Sequence, residues 1–399
     1  MKKIIFISFL ILLTLCGCSY KSNETVTLNV YNWGEYISDG SEESLNVNDE
    51  FERYCKEELD MDVVVNYTTY ASNEDMYNKI KSGSASYDII IPSDYMIEKM
   101  ILEDMLLKLD FSNIPNYEFV NSAYKDLFYD PYNEYSVPYT SGMVGIIYNE
   151  KMVDEEDTGK WDLLWNEKYK GQILQFNNPR DAFGTAIYSA GGDVNATDVK
   201  VWEDASQKLK VQKPLVQSYV MDEIFNKMKN GSAAIAPYYA GDYLTMYDSN
   251  DSLRFYYPEE GTNIFVDAMC IPECAKNKEL AEIYINFMLS DEIAIANAEY
   301  IAYSSPLDNV RNNEIYIEDM TEWNENAMDI LYPESVDFKT TYYKNLDPET
   351  LKLQNSLWET LKIDNSVEPW IYITSLGIIL LLLVIFGWNF IIKKIRDNY

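Results

Sequence analysis

Apolar and polar positions alternate over 26–31 and again over 62–68, and each stretch is followed by a segment of helical spacing. The first of these, 49–59, brings Phe51, Tyr54 and Cys55 to one face, and the second, 74–81, ends just before Gly83. A short apolar run at 87–91 is stopped by Pro92, the pattern of a buried parallel strand. This β-α-β-α-β order predicts a doubly wound α/β lobe. The middle of the chain repeats it, with strands expected at 142–148, 172–176 and 233–236 and helices at 182–190 and 199–209. A strand at 264–271 and a helix at 278–289 follow, with no internal repeat or low-complexity segment. Ligands of such sheets sit beyond the carboxyl ends of the strands. The segments found there are Asn32-Trp33-Gly34-Glu35-Tyr36 and Pro92-Ser93-Asp94-Tyr95.

The two ends of the chain do not fit this pattern. Lys2 and Lys3 precede an apolar run over 4–13, which reads as a secretory signal over 1–17. Leu15-Cys16-Gly17-Cys18 resembles a bacterial lipobox, so Cys18 is the expected lipidation site, joined to the body by a linker over 18–24. Residues 370–392 carry no charge, which suits a transmembrane helix. Trp370, Tyr372 and Trp388 lie near its ends, and Lys393, Lys394 and Arg396 follow, which by the positive-inside rule keeps the C-terminus in the cytoplasm and the body outside. The expected location is therefore the cell membrane, with the body on the extracytoplasmic side.

Composition narrows the chemistry. The 399 residues carry a formal charge of −33, and removing the signal takes away two lysines and no acid. Such a surface repels nucleic acid and attracts cations. No histidine is present, which excludes Ser-His-Asp and Cys-His catalysis and any histidine-containing metal site. Neither a cofactor nor a metal is called for, and the chain does not read as an enzyme. The five cysteines, Cys16, Cys18, Cys55, Cys270 and Cys274, form no zinc spacing. Cys270 and Cys274 either bridge across a turn or remain two buried free thiols.

Several stretches, in order and over most of the body, resemble the spermidine- and putrescine-binding proteins of bacterial polyamine importers. They are Tyr31-Asn32-Trp33-Gly34-Glu35-Tyr36, Tyr70-Ala71-Ser72-Asn73-Glu74 and Tyr87-Asp88-Ile89-Ile90-Ile91-Pro92-Ser93-Asp94-Tyr95. Further on come Tyr135-Ser136-Val137-Pro138-Tyr139, Trp161-Asp162-Leu163-Leu164-Trp165 and Glu167-Lys168-Tyr169-Lys170-Gly171. The resemblance implies an α/β, two-lobed periplasmic-binding-protein-like fold of the second type, with a hinge and the site in the cleft between lobes. One lobe would comprise 25–140 and 268–364, the other 141–267. It also implies a polyamine ligand and the permease subunits of an ABC transporter as partners. It does not account for the C-terminal span.

A polyamine needs a carboxylate for each ammonium, because a buried unpaired charge is costly, and aromatic walls for its methylenes. The resemblance supplies both. Trp33 and Tyr36 would form one wall; Ser93 would offer a hydroxyl and Tyr95 a second wall. Asp181, Asp242 and Asp267 match acidic positions, Tyr239 stands where the family often has tryptophan, and Tyr303 would close the aromatic box. Asp267 also interrupts an apolar strand, where an acid needs a reason. Two departures lower the negative charge at one end: Asn178 replaces an acid of spermidine-type members, and Lys344 replaces a glutamine. Both favour a diamine such as putrescine over a triamine. Arg180 reads as an ion-pair partner of Asp181. The rival readings are a ferric-iron or other cation-binding protein using the tyrosine pairs, a membrane-anchored surface sensor, and a carboxylate-based hydrolase using Asp242 and Asp267.

Overall fold

The computed structural model of the chain describes residues 25–333, 338–363, 374 and 376–378. The signal, Cys18 and the linker lie outside the described residues, as does nearly all of the expected span at 370–392. Among the described residues, no helix is long and apolar enough to cross a membrane.

Strand β1 (Val26–Trp33) pairs in parallel with β2 (Val63–Tyr70) along its whole length, and on its other edge with β3 (Ile89–Ile90). Helices α1 (Val47–Glu58) and α2 (Asn73–Lys81) make the crossovers, and α3 (Asp94–Leu102) leaves β3. Helix α1 begins where the Asn46 side chain accepts from the Asp49 amide, and it buries Val47, Phe51 and Cys55, one turn apart. Helix α2 begins at Ser72, whose hydroxyl accepts from the Asp75 amide at 3.1 Å. That cap puts Asn73 and Glu74 in the first turn, at the carboxyl end of the sheet.

Two long strands, β4 (Ser136–Asn149) and β9 (Thr262–Cys270), run antiparallel from Ser136↔Cys270 to Met143↔Ile264. At one end β9 joins β3 through Ile90↔Cys270. At the other end β4 joins β7 (Ile235–Tyr239) and β8 (Leu253–Tyr256), and the sheet continues through β5 (Ile173–Phe176) to β6 (Val216–Val220). A last strand, β10 (Thr340–Thr341), lies parallel to the start of β9. The order β2-β1-β3-β9-β4-β7-β5-β6 thus has β4 and β9 shared by two groups of strands. The expected lobe boundaries, 140/141 and 267/268, fall inside these two shared strands.

The register of β4 against β9 slips between Pro138 and Thr140, and Thr140 then faces Asp267. Proline has no amide hydrogen for the ladder, so a bulge there is expected, and bulges re-aim neighbouring side chains. The Ala268 amide turns instead to the Pro92 carbonyl at 3.1 Å.

Helices α4 (Pro179–Ser189), α5 (Val199–Gln212), α6 (Glu223–Lys229) and α7 (Ala240–Ser249) belong to the second strand group. Helix α4 starts three residues before the apolar spacing predicts. Asn178 accepts from the Asp181 amide at 2.8 Å and Pro179 fits the first turn, so the cap sets the start. Cys55, Cys270 and Cys274 are free thiols, Cys270 buried and Cys274 only half-buried.

Candidate functional site

The segments that leave the strand ends converge. Trp33, Tyr36, Ser93, Tyr95, Asp181, Tyr239, Asp242, Asp267 and Tyr303 all line one cavity of about 80 Å³. It has room for several waters or one slender ligand. Trp33 ends β1, and its indole donates to the Ile91 carbonyl at 2.9 Å. Ser93 and Tyr95 follow β3, where Asn73 Nδ2 donates to the Ser93 hydroxyl at 3.0 Å and to the Tyr95 hydroxyl at 3.1 Å. Tyr239 ends β7, Asp242 lies in the first turn of α7, and Tyr303 follows the helix Asp291–Ile301.

Four acids of the cavity are each held by a tyrosine. Tyr36 donates to Asp267 Oδ2 at 2.7 Å, Tyr239 to Asp181 Oδ2 at 2.7 Å, Tyr303 to Asp242 Oδ2 at 2.9 Å and Tyr95 to Glu74 Oε1 at 3.1 Å. The Tyr36 hydroxyl is also bonded to Thr140, across the bulge. The rings then meet edge-on, Tyr36 against Tyr303 at 5.0 Å and Tyr239 against Phe265 at 5.5 Å. The result is a set of fixed carboxylates between aromatic faces.

Burial is the main influence on these acids. It pushes Asp242 up to about 8, against the opposing Tyr303 bond, with the charges of Asp222 and Glu35 adding to the rise. Asp267 is pushed up to about 6, despite help from Ser93 and Tyr36, and Asp181 adds to the rise. Burial also raises Asp181 and Glu74. Although the Ser93 hydroxyl is close enough to lower it, Asp267 Oδ1 has no hydrogen-bond partner of good geometry and is buried. An acceptor left in this state calls for a donor.

Asn178 lines the cavity too, and its role is local: Nδ2 donates to Asp181 Oδ2 at 2.7 Å, while Oδ1 caps α4. Arg180 does not act as the ion-pair partner of Asp181. Its guanidinium is directed to the Val194 carbonyl at 3.1 Å, Asn195 Oδ1 at 2.8 Å and the Lys344 carbonyl at 3.1 Å, and lies 4.5 Å from the Tyr343 ring. Lys344 is not among the lining residues; its ammonium lies over Phe128, and Tyr343 lines the cavity instead.

Sequence reasoning passed over Glu74, Asp222, Phe265 and Tyr343, all of which line the cavity. Glu74 stands in a stretch singled out for its resemblance, at a helix start, which is the signal that could have found it. Among the described lining residues the acids are Glu74, Asp94, Asp181, Asp222, Asp242 and Asp267, Arg180 is the one cation, and lysine is absent. Such a space suits a small, slender cation with apolar links between its charges.

Residues 84–327 match the family described as bacterial extracellular solute-binding protein. The chain is 32% identical to the spermidine/putrescine-binding periplasmic protein of Escherichia coli strain K12, over 83% of this chain and 86% of that one. Its fold is similar to the solved spermidine/putrescine ABC transporter substrate-binding protein PotD of Streptococcus pneumoniae, with a TM-score of 0.66 and 35% identity over 85% of this chain and 99% of that one. A solved Listeria monocytogenes protein superposes with a TM-score of 0.75 and 33% identity, covering 84% of this chain and 99% of that one.

Proposed function

The chain belongs to the family of bacterial extracellular solute-binding proteins, and from that premise we propose that its cavity captures a polyamine, in the first place a diamine such as putrescine, for import by an ABC transporter. The observation that carries the reading is the lining itself: acids held by tyrosines, aromatic walls, and no lysine among the described lining residues. Asp267, Asp242 and Asp181 supply carboxylates for the ammonium ends. Trp33, Tyr36, Tyr95, Tyr239 and Tyr303 enclose the methylenes, and Ser93 adds a hydroxyl. A bound ammonium favours the ionised form of Asp242, which burial holds protonated at neutral pH, so capture releases a proton there.

In this reading β4 and β9 are the hinge between two lobes, 25–140 with 268–364 and 141–267. The lobes close on the ligand from either side. Gly34 and Asp222 stand on opposite rims: a Cβ on Gly34 would sit 2.7 Å from Asp222 Oδ2. The ends complete the picture. Cys18 carries a lipid and 370–392 span the bilayer, so the body works tethered outside the cytoplasm and delivers its ligand to permease subunits in the same membrane.

The test is calorimetric titration of the full chain with putrescine, cadaverine, spermidine and spermine. Saturable 1:1 binding of putrescine at micromolar or tighter Kd is expected. Absence of binding by all four amines, with a folded protein, overturns the reading.

A further inference from the structure

Arg180 presents a problem in the physics of burial. It is only 5% exposed, and among the described residues it has no acid partner, in a cavity otherwise lined by acids. A buried guanidinium is tolerated when oxygens satisfy its donors. Its two terminal nitrogens find oxygens in two places, the loop at Val194 and Asn195 and the carbonyl of Lys344, while Nε is buried without a hydrogen-bond partner.

The same loop grips the backbone on both sides of Tyr343. Asn195 Nδ2 donates to the Tyr342 carbonyl at 2.8 Å, and the Lys344 amide donates to Asn195 Oδ1 at 2.9 Å. One amide side chain therefore binds the strap at the residue before and the residue after Tyr343. On the strap's other side the Asn345 amide donates to Glu98 Oε2 at 2.8 Å, and the Tyr342 ring tilts against Phe128 with centroids 5.6 Å apart. Between these ties Tyr343 is turned into the cavity, under the Arg180 guanidinium and edge-on to Tyr95 at 6.3 Å. Its hydroxyl comes down on Gly184 of α4, where an added Cβ would push it aside.

We propose that Asn195 and Arg180 are positioning residues for ligand retention: they tie the strap 342–344 to the start of α4, which carries Asp181, and so hold Tyr343 as a wall of the cavity. Asn195 does this without lining the cavity itself. The strap follows β10, which lies on β9, and it bonds to both strand groups. Tyr343 walls the cavity that a ligand would fill, and its hold loosens once Asn195 lets go of the residues on either side of it.

The proposal rests on the polyamine reading of the cavity, and its test separates the two. In the full chain, putrescine association and dissociation are followed by stopped flow for wild type, Asn195→Ala, Asn195→Asp, Tyr343→Ala and the double variant Asn195→Ala/Tyr343→Ala, while hydrogen exchange reads the Lys344 amide without ligand. The expected result is a dissociation rate raised about tenfold or more by Asn195→Ala, with association little changed. Asn195→Asp, which keeps the acceptor for Lys344 and Arg180, should lose less. Adding Asn195→Ala to Tyr343→Ala should cost nothing further, because the first acts through the second. Fully additive losses, an unchanged dissociation rate, or a wild-type Lys344 amide that exchanges freely would overturn the proposal and leave the polyamine reading standing. A protected Lys344 amide in a wild type that binds no polyamine would overturn the polyamine reading, and retention with it, while the tie itself stood.

Discussion

Tyr36 donates to Asp267 Oδ2 at 2.7 Å, while the buried Oδ1 lies near the Ser93 hydroxyl without a hydrogen bond of good geometry. The tyrosine holds this carboxylate in the wall of the cavity before any ligand arrives. Asp267→Asn is expected to weaken putrescine binding by more than a hundredfold, on the order of 3–5 kcal/mol, because an ammonium would be left facing an amide. Titration calorimetry checks this. A change of less than about fivefold in a folded variant would remove Asp267 from the ligand's reach.

Asp242 at about 8 and Asp267 at about 6 make the protein's stability depend on pH. Both acids hold their protons more tightly folded than unfolded, where the value is about 4. The native state thus binds more protons between about pH 4 and 8, so stability without ligand should fall as pH rises through that window and level off above it. Ligand reverses the sign, since an ammonium favours the ionised forms. The rise in Tm on adding putrescine should therefore be larger at pH 8 than at pH 5.5. Thermal melts at the two pH values decide this, and an equal or smaller rise at pH 8 would count against proton-coupled capture.

Gly241 touches the ring of Tyr303, and an added Cβ would also meet the Ala302 carbonyl at 2.7 Å. Gly241→Ala should push Tyr303 away from Asp242 and lower putrescine affinity about tenfold or more, at an overpacking cost of about 1–3 kcal/mol. If calorimetry finds affinity unchanged while the fold is intact, Tyr303 does not act through its bond to Asp242.

Much of the first strand group was legible because β1 and β2 are eight residues each and alternate, and their crossovers carry caps at Asn46 and Ser72. Strands β6 and β8 and helices α6 and α7 were not: β8 has four residues, α6 has seven, and α7 carries Gly241 in its first turn, which weakens the helix signal. At the site, motif order named nine residues that the fold brings to one cavity. It could not reveal that Arg180 turns from Asp181 to carbonyl oxygens, because neighbours in sequence on a helix start point different ways. Nor could it reveal Tyr343, which depends on a strap returning from far along the chain.

Asn178 tests how charge sets ligand length. Its Nδ2 donates to Asp181 Oδ2 at 2.7 Å, and its Oδ1 caps α4. Aspartate at this position keeps the cap, since a carboxylate accepts from the Asp181 amide equally well. It loses the donor, so two carboxylates would face each other across the distance now spanned by a hydrogen bond. Without ligand that repulsion destabilises the fold and raises the pKa of the pair. An ammonium placed between them relieves it, and spermidine has a third ammonium to place where putrescine has none. Asn178→Asp should therefore lower the Tm of the ligand-free protein and shift the spermidine-to-putrescine affinity ratio towards spermidine by about tenfold, or ~1–2 kcal/mol. Parallel titrations with both amines measure the ratio. If it does not move while the Tm falls, position 178 serves only to seat Asp181 and the limit on ligand length lies elsewhere in the cavity.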